Sequence, residues 1–82
     1  MRFRVQDLVE GATYEGTSGR VRRIVEIGEA GKPSRIKPGS TWSWNGIAYI
    51  AVTGGGQVVK GGLAYCEAST FAKWAKKVLE DA

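Results

Sequence analysis

Apolar and polar residues alternate along most of this chain, and the spacing changes to three and four only near the C-terminus. Phe3 and Val5 alternate with Arg2, Arg4 and Gln6, the pattern of a short edge strand. Asp7–Gly11 reads as a turn into a second strand at Ala12-Thr13-Tyr14. Arg20–Ile27 predicts a third strand with imperfect alternation. Val21, Val25 and Ile27 share a face, but Arg23 falls on that face and Ile24 on the other. A β-bulge near Arg22-Arg23, or partial cover on both faces, would account for this. The sharpest local signal is Asn45-Gly46, set between Trp42-Ser43-Trp44 and Ile47–Val52. It predicts a two-residue hairpin, because a type I′ turn needs φ > 0 at both central positions. In that register Trp44 faces Ile47 and Trp42 faces Tyr49, giving one aromatic face. Thr41, Ser43, Ala48, Ile50 and Val52 make the other. Val58-Val59 and Leu63–Cys66 complete the strands.

The punctuation between these runs is glycine-rich, with 12 glycines in the chain. Glu15–Gly19 is a loop, and Thr53–Gln57 and Lys60–Gly62 are turns. Gly28–Gly39, with both prolines and three glycines, is the longest loop. From Ser69 to Glu80, Phe71, Trp74, Ala75, Val78 and Leu79 recur at helical spacing, with Lys73, Lys76 and Lys77 on the polar side. Ser69 or Thr70 serves as N-cap. The expectation is a single domain over residues 1–82, with strands within 1–66 and a helix at about 69–80. Its class is mainly β (α+β). About five short antiparallel strands should curl into a small barrel or half-barrel, with the amphipathic C-terminal helix capping one open end through Phe71, Trp74 and Val78.

Charge adds a candidate partner. The formal net charge is +4, which suits a polyanion such as nucleic acid, with a solvated basic surface as the plain alternative. Arg20, Arg22, Arg23, Lys32, Arg35 and Lys37 lie on one strand and its following loop, opposed by Glu26 and Glu29. If strand and loop fold together, they form a positive patch able to contact phosphates. Trp42, Trp44 and Tyr49 either build an exposed platform for stacking a base or gripping a ligand, or fill the core. Thr41 and Ser43 opposite them favour burial, whereas Ile50 and Val52 argue the other way.

Catalytic chemistry finds little support. The chain has no histidine and one cysteine, which excludes Ser-His-Asp triads, Cys-His nucleophiles, His-ligated zinc and thiolate metal cages. The carboxylates show no motif spacing, so no catalytic residue, metal ligand or cofactor is assigned. Thr53–Gln57 lacks the lysine and hydroxyl of a phosphate-binding loop and reads as a turn. Cys66 cannot form an intrachain disulfide and reads as an inert, buried small residue. No run approaches the ~20 apolar residues of a membrane span, and Met1–Asp7 has no apolar signal core. These features point to the cytoplasm.

Gly11-Ala12-Thr13-Tyr14 with Gly19-Arg20-Val21-Arg22-Arg23-Ile24-Val25, and Tyr65-Cys66 with Phe71-Ala72-Lys73-Trp74-Ala75, resemble short proteins encoded by bacteriophages and prophages. The Gly-x-x-Tyr…Gly-x-x-Arg opening also resembles small barrels of the Src-homology-3 type. The resemblance implies a phage or prophage source and a Src-homology-3-like barrel, from which the C-terminal helix departs; the leading reading is a non-enzymatic accessory protein that acts by binding in the host cytoplasm. On this reading it binds nucleic acid or another polyanion through the basic strand and loop. The alternative is a counter-defence protein that inhibits a host immune protein or sequesters a small anionic signal. Self-assembly through an exposed sheet edge is a third reading.

Overall fold

The computed structural model describes residues 3–81. Its strands are β1 Thr13–Gly16, β2 Val21–Gly28, β3 Gly46–Val52, β4 Val58–Glu67 and β5 Ala75–Glu80, with one helix, α1, at Ala68–Trp74. They form a single antiparallel sheet in the order β4-β3-β2-β1-β5. The first four strands make a meander, and β5 returns to pair with β1. The mainly β, barrel-like α+β fold expected from the pattern is the fold observed, with α1 joining the two edge strands.

The core lies inside this curl. Phe71, Tyr14, Ile24 and Ile47 are its largest fully buried side chains, packed with Leu8, Ala12, Ala68, Ala72 and Ala75. Phe71 meets Tyr14 edge-on at 5.7 Å and touches the rings of Tyr49 and Trp74 at 5.7 and 5.2 Å. Tyr14 keeps its polar end satisfied, its hydroxyl accepting the Val9 N–H at 3.0 Å.

The bulge in β2 has moved from its expected place. Ile24 pairs with Tyr49 and Glu26 with Ala48, so the extra residue is Val25, not one of Arg22-Arg23. An extra residue reverses the inside–outside alternation beyond it. Ile24 and Ile27, three apart, therefore both pack on the core, and Glu26 turns to the opposite face.

Local signals failed in four places. First, residues 42–45 are not a strand, and neither Asn45 nor Gly46 has a positive φ. Trp42 instead pairs within its own loop, its N–H donating to the Lys32 carbonyl at 2.8 Å while its carbonyl accepts the Gly31 N–H at 2.7 Å. Asn45 is a clamp: its side-chain oxygen accepts the Ala30 N–H at 3.0 Å and its carbonyl accepts the Ala68 N–H at 3.1 Å. Gly46 is needed for space, because a Cβ there would lie 2.5 Å from the Trp44 ring. Second, Val5–Asp7 is a 3-10 turn, not an edge strand. The Asp7 carboxylate accepts the Arg4 N–H at 2.9 Å and holds the chain bent. Arg2, assigned to that strand, lies outside the described residues. Third, Lys60–Gly62 does not end a strand. It is a wide bulge in β4, where residues 59–62 oppose Ala51 alone, and Gly61 and Gly62 absorb it with φ of 148° and 77°.

Fourth, the C-terminal helix stops at Trp74 and residues 75–80 are extended. Thr13, Tyr14, Glu15 and Gly16 would otherwise present an open edge, and β5 supplies their partners Glu80, Val78, Lys77 and Ala75. The helix starts after Glu67, which takes the N-cap position in place of Ser69 or Thr70. Val78 is 41% exposed and does not belong to the buried face with Phe71. Phe71→Ala should therefore lower stability by about 3–5 kcal/mol, while Val78→Ala should change it by about 0.5 kcal/mol or less. Urea unfolding of the two variants checks this. Equal losses would restore the long helix.

Candidate functional site

Strand parity decides where the basic side chains go. Arg22 shares the core face of β2 with Ile24, at the mouth of the curl, where its cross-strand partners are Tyr14 and Ala51. Its guanidinium carbon stands 4.6 Å from the Tyr49 ring centroid and 4.3 Å from that of Trp74. Two such contacts hold the guanidinium plane, each worth about 0.5–1 kcal/mol where partly exposed. Arg22 and Arg20 line a cleft of about 520 Å³ with Tyr49, Thr53 and Val59. Val21, Ala51, Val52 and Ala64 form part of the remaining wall, and the rest is bare backbone at Gly19, Gly54, Gly61 and Gly62. A Cβ at any of these four glycines would meet open space. Among the described residues, neither arginine is ion-paired with a carboxylate.

The other basic residues are placed elsewhere. Arg23 points to the opposite face, donating to Thr13 Oγ1 at 3.2 Å and to the Gly56 carbonyl at 3.1 Å. Arg35 is committed to ion pairs with Glu10 and Glu26. Lys32 borders a small hollow with Glu26, Glu29 and Arg35. Lys37 borders another, of about 420 Å³, with Trp42, Trp44 and Tyr65. The single strand-and-loop patch is thus divided. Ala64 lines the arginine cleft and its neighbour Tyr65 the aromatic hollow, and successive residues of a strand face opposite sides.

The aromatic face is divided as well. Trp42 and Trp44 meet edge to face at 5.6 Å, and Trp42 meets Tyr65 at 5.9 Å. Trp42 is buried over Gly28, where a Cβ would fall 2.0 Å from its ring. Trp44 and Tyr65 stay 37% and 46% exposed. Tyr49 is absent from this cluster and sits beneath Arg22. Sequence reasoning missed Trp74 as the second support of Arg22, and missed the cleft glycines. Helical spacing marked Trp74 only as apolar, and nothing local pairs it with a residue fifty-two positions earlier.

The loop between β2 and β3 is pinned by two carboxylates, Glu26 and Glu10. Glu26 is 2% exposed. Its Oε1 accepts the Ser34 hydroxyl at 2.9 Å, and its Oε2 accepts the Arg35 N–H at 2.8 Å. Burial works against its charge, but the Arg35 N–H, the Ser34 hydroxyl and the Ile36 N–H outweigh it and hold the carboxyl below the ordinary glutamate range. The Trp42 indole N–H, buried beside it without a hydrogen bond of its own, adds a favourable dipole. Glu10 ties the same loop from the other side, accepting the Ile27 N–H at 2.8 Å and pairing with Arg35. Burial pushes the Cys66 thiol up against a smaller opposing pull from Arg22, which disfavours a reactive thiolate.

No protein-family model matches the chain, and it matches no curated protein and no solved structure.

Because folding lowers the Glu26 pKa, the charged form is favoured in the folded state. Its contribution is present above the ordinary value of 4.5 and is lost as the pH falls through the lower folded value. Glu26→Gln should cost about 1–3 kcal/mol at neutral pH by leaving loop donors poorly matched. The deficit should shrink below about pH 4.5. Denaturant unfolding of both proteins across that range measures it, and a pH-independent deficit would contradict the assignment.

Proposed function

We propose that this chain is a non-enzymatic binding protein whose partner is nucleic acid or another polyanion, held at the Arg20–Arg22 cleft. The observation that carries this reading is Arg22. A guanidinium with no carboxylate partner among the described residues, its plane fixed by two aromatic rings beside bare glycine backbone, suits an oxyanion better than any neutral ligand. The net charge of +4 supports the same reading by favouring encounter with anions. Lys32 and Lys37, on the loop, contribute long-range attraction and do not line the cleft. No helix among the described residues is long and apolar enough to cross a membrane. A phage accessory role in the host cytoplasm accords with the resemblance of the chain's two short motifs.

A second reading rests on the other face. Trp44 and Tyr65 are half-exposed at the rim of a hollow backed by buried Trp42, and aromatic anchors of this kind carry much of the energy of protein interfaces. A counter-defence protein that engages a host protein would use this face and leave the arginine cleft free.

Titration of a labelled single-stranded oligonucleotide at several salt concentrations separates the two. Arg20→Ala/Arg22→Ala should flatten the log–log salt dependence by about 0.7 for each phosphate that is no longer neutralised. Lys32→Ala/Lys37→Ala should weaken binding only slightly. Absence of binding at low salt, or equal slopes for wild type and the arginine variant, would remove the polyanion reading.

A further inference from the structure

We propose that the Arg20–Arg22 cleft is a pocket for a terminal phosphomonoester, carried by the end of a nucleic-acid strand or by a free nucleotide, and not a track for a continuous phosphodiester backbone. This rests on the polyanion reading and narrows its ligand. Charge is the first reason. Two arginines without carboxylate partners among the described residues face one cleft, and a phosphomonoester brings about −1.5 to −2 at pH 7, where an internal phosphodiester brings one charge. Stacking is the second. Proteins that track single strands present aromatic faces to successive bases. In this cleft Arg22 lies over both the Tyr49 and Trp74 rings, so phosphate is read and the base is not.

The walls give the third reason. Gly19, Gly61 and Gly62 have φ of 72°, 148° and 77°, and with Gly54 they border the cleft at points where an added Cβ would meet open space. Positive φ accounts for glycine at 19, 61 and 62, but neither packing nor φ accounts for it at Gly54. Bare backbone lets a ligand approach closely and exposes amides to it. The cleft, at about 520 Å³, falls within the usual range for small-molecule sites of roughly 300–1,000 Å³.

The test compares a short 3′-labelled oligothymidylate carrying a 5′-phosphate with the same strand ending in a 5′-hydroxyl, with thymidine monophosphate and thymidine as competitors. The phosphorylated strand should bind at least about tenfold more tightly, the effect of one added charge-assisted hydrogen bond. Thymidine should not compete. Displacement by thymidine monophosphate assigns the site to free nucleotides as well as strand ends, and lack of displacement assigns it to strand ends. Arg22→Lys keeps the charge but loses the planar fork and should erase most of the preference. Gly54→Val adds bulk to the cleft wall where a Cβ meets open space and no positive φ is required. It should block binding with an unchanged melting curve. Equal binding of both strands, still dependent on Arg22, would overturn this inference and leave the polyanion reading standing. Binding of neither strand would remove both, and unchanged binding by Gly54→Val would displace the ligand from this cleft.

Discussion

The burial of Phe71 is the interaction on which the rest of the structure depends. A five-stranded sheet cannot stand alone with one apolar face in water, and α1 is too short to be helical without packing. Phe71 answers both needs. It inserts from α1 against Tyr14 of β1 and Tyr49 of β3, so the seven-residue helix closes over the concave side. Once α1 is seated, the chain leaves it beside the free edge of β1, and β5 forms there. The same seating brings Trp74 to Arg22. One buried ring thus links the core, the edge pairing and the geometry of the cleft.

The second constraint acts on the outer face. Val25 as an extra residue sends Glu26 away from the core, where a buried carboxylate has to find donors. It finds them in Ser34 and Arg35 of the long loop. That capture folds the loop back and places Trp42 over Gly28. It also consumes Arg35, which pairs with Glu10 and Glu26. Of the loop's basic residues, Arg35 thus holds the fold, Lys32 stands beside Glu26 and Glu29, and Lys37 borders the aromatic hollow. The cleft on the other side keeps two arginines that pair with no carboxylate among the described residues. Position on the bulged strand, more than the number of basic residues, decides which charges are available to a ligand.

The class of the fold is legible along the chain: short alternating runs separated by glycine, the Thr53–Gln57 turn, and an apolar helical segment beginning near residue 69. These signals depend on residues a few positions apart, and local sterics and periodicity settle them. The sequence also singled out Arg20, Arg22 and Tyr49, which do share a cleft. Tertiary structure alone decided the rest. Asn45-Gly46 carries a strong turn preference of about the same small energy as any local propensity, and two long-range hydrogen bonds from Ala30 and Ala68 override it. Ala75–Glu80 fits a helix by spacing, yet pairing with β1 satisfies backbone groups on both strands, a gain invisible without the partner. Arg22 and Arg23 part by strand alternation, while the bulge at Val25 turns Glu26 outward to take Arg35. Non-local hydrogen bonds and strand register set these outcomes, and neither is written in any short stretch of the chain.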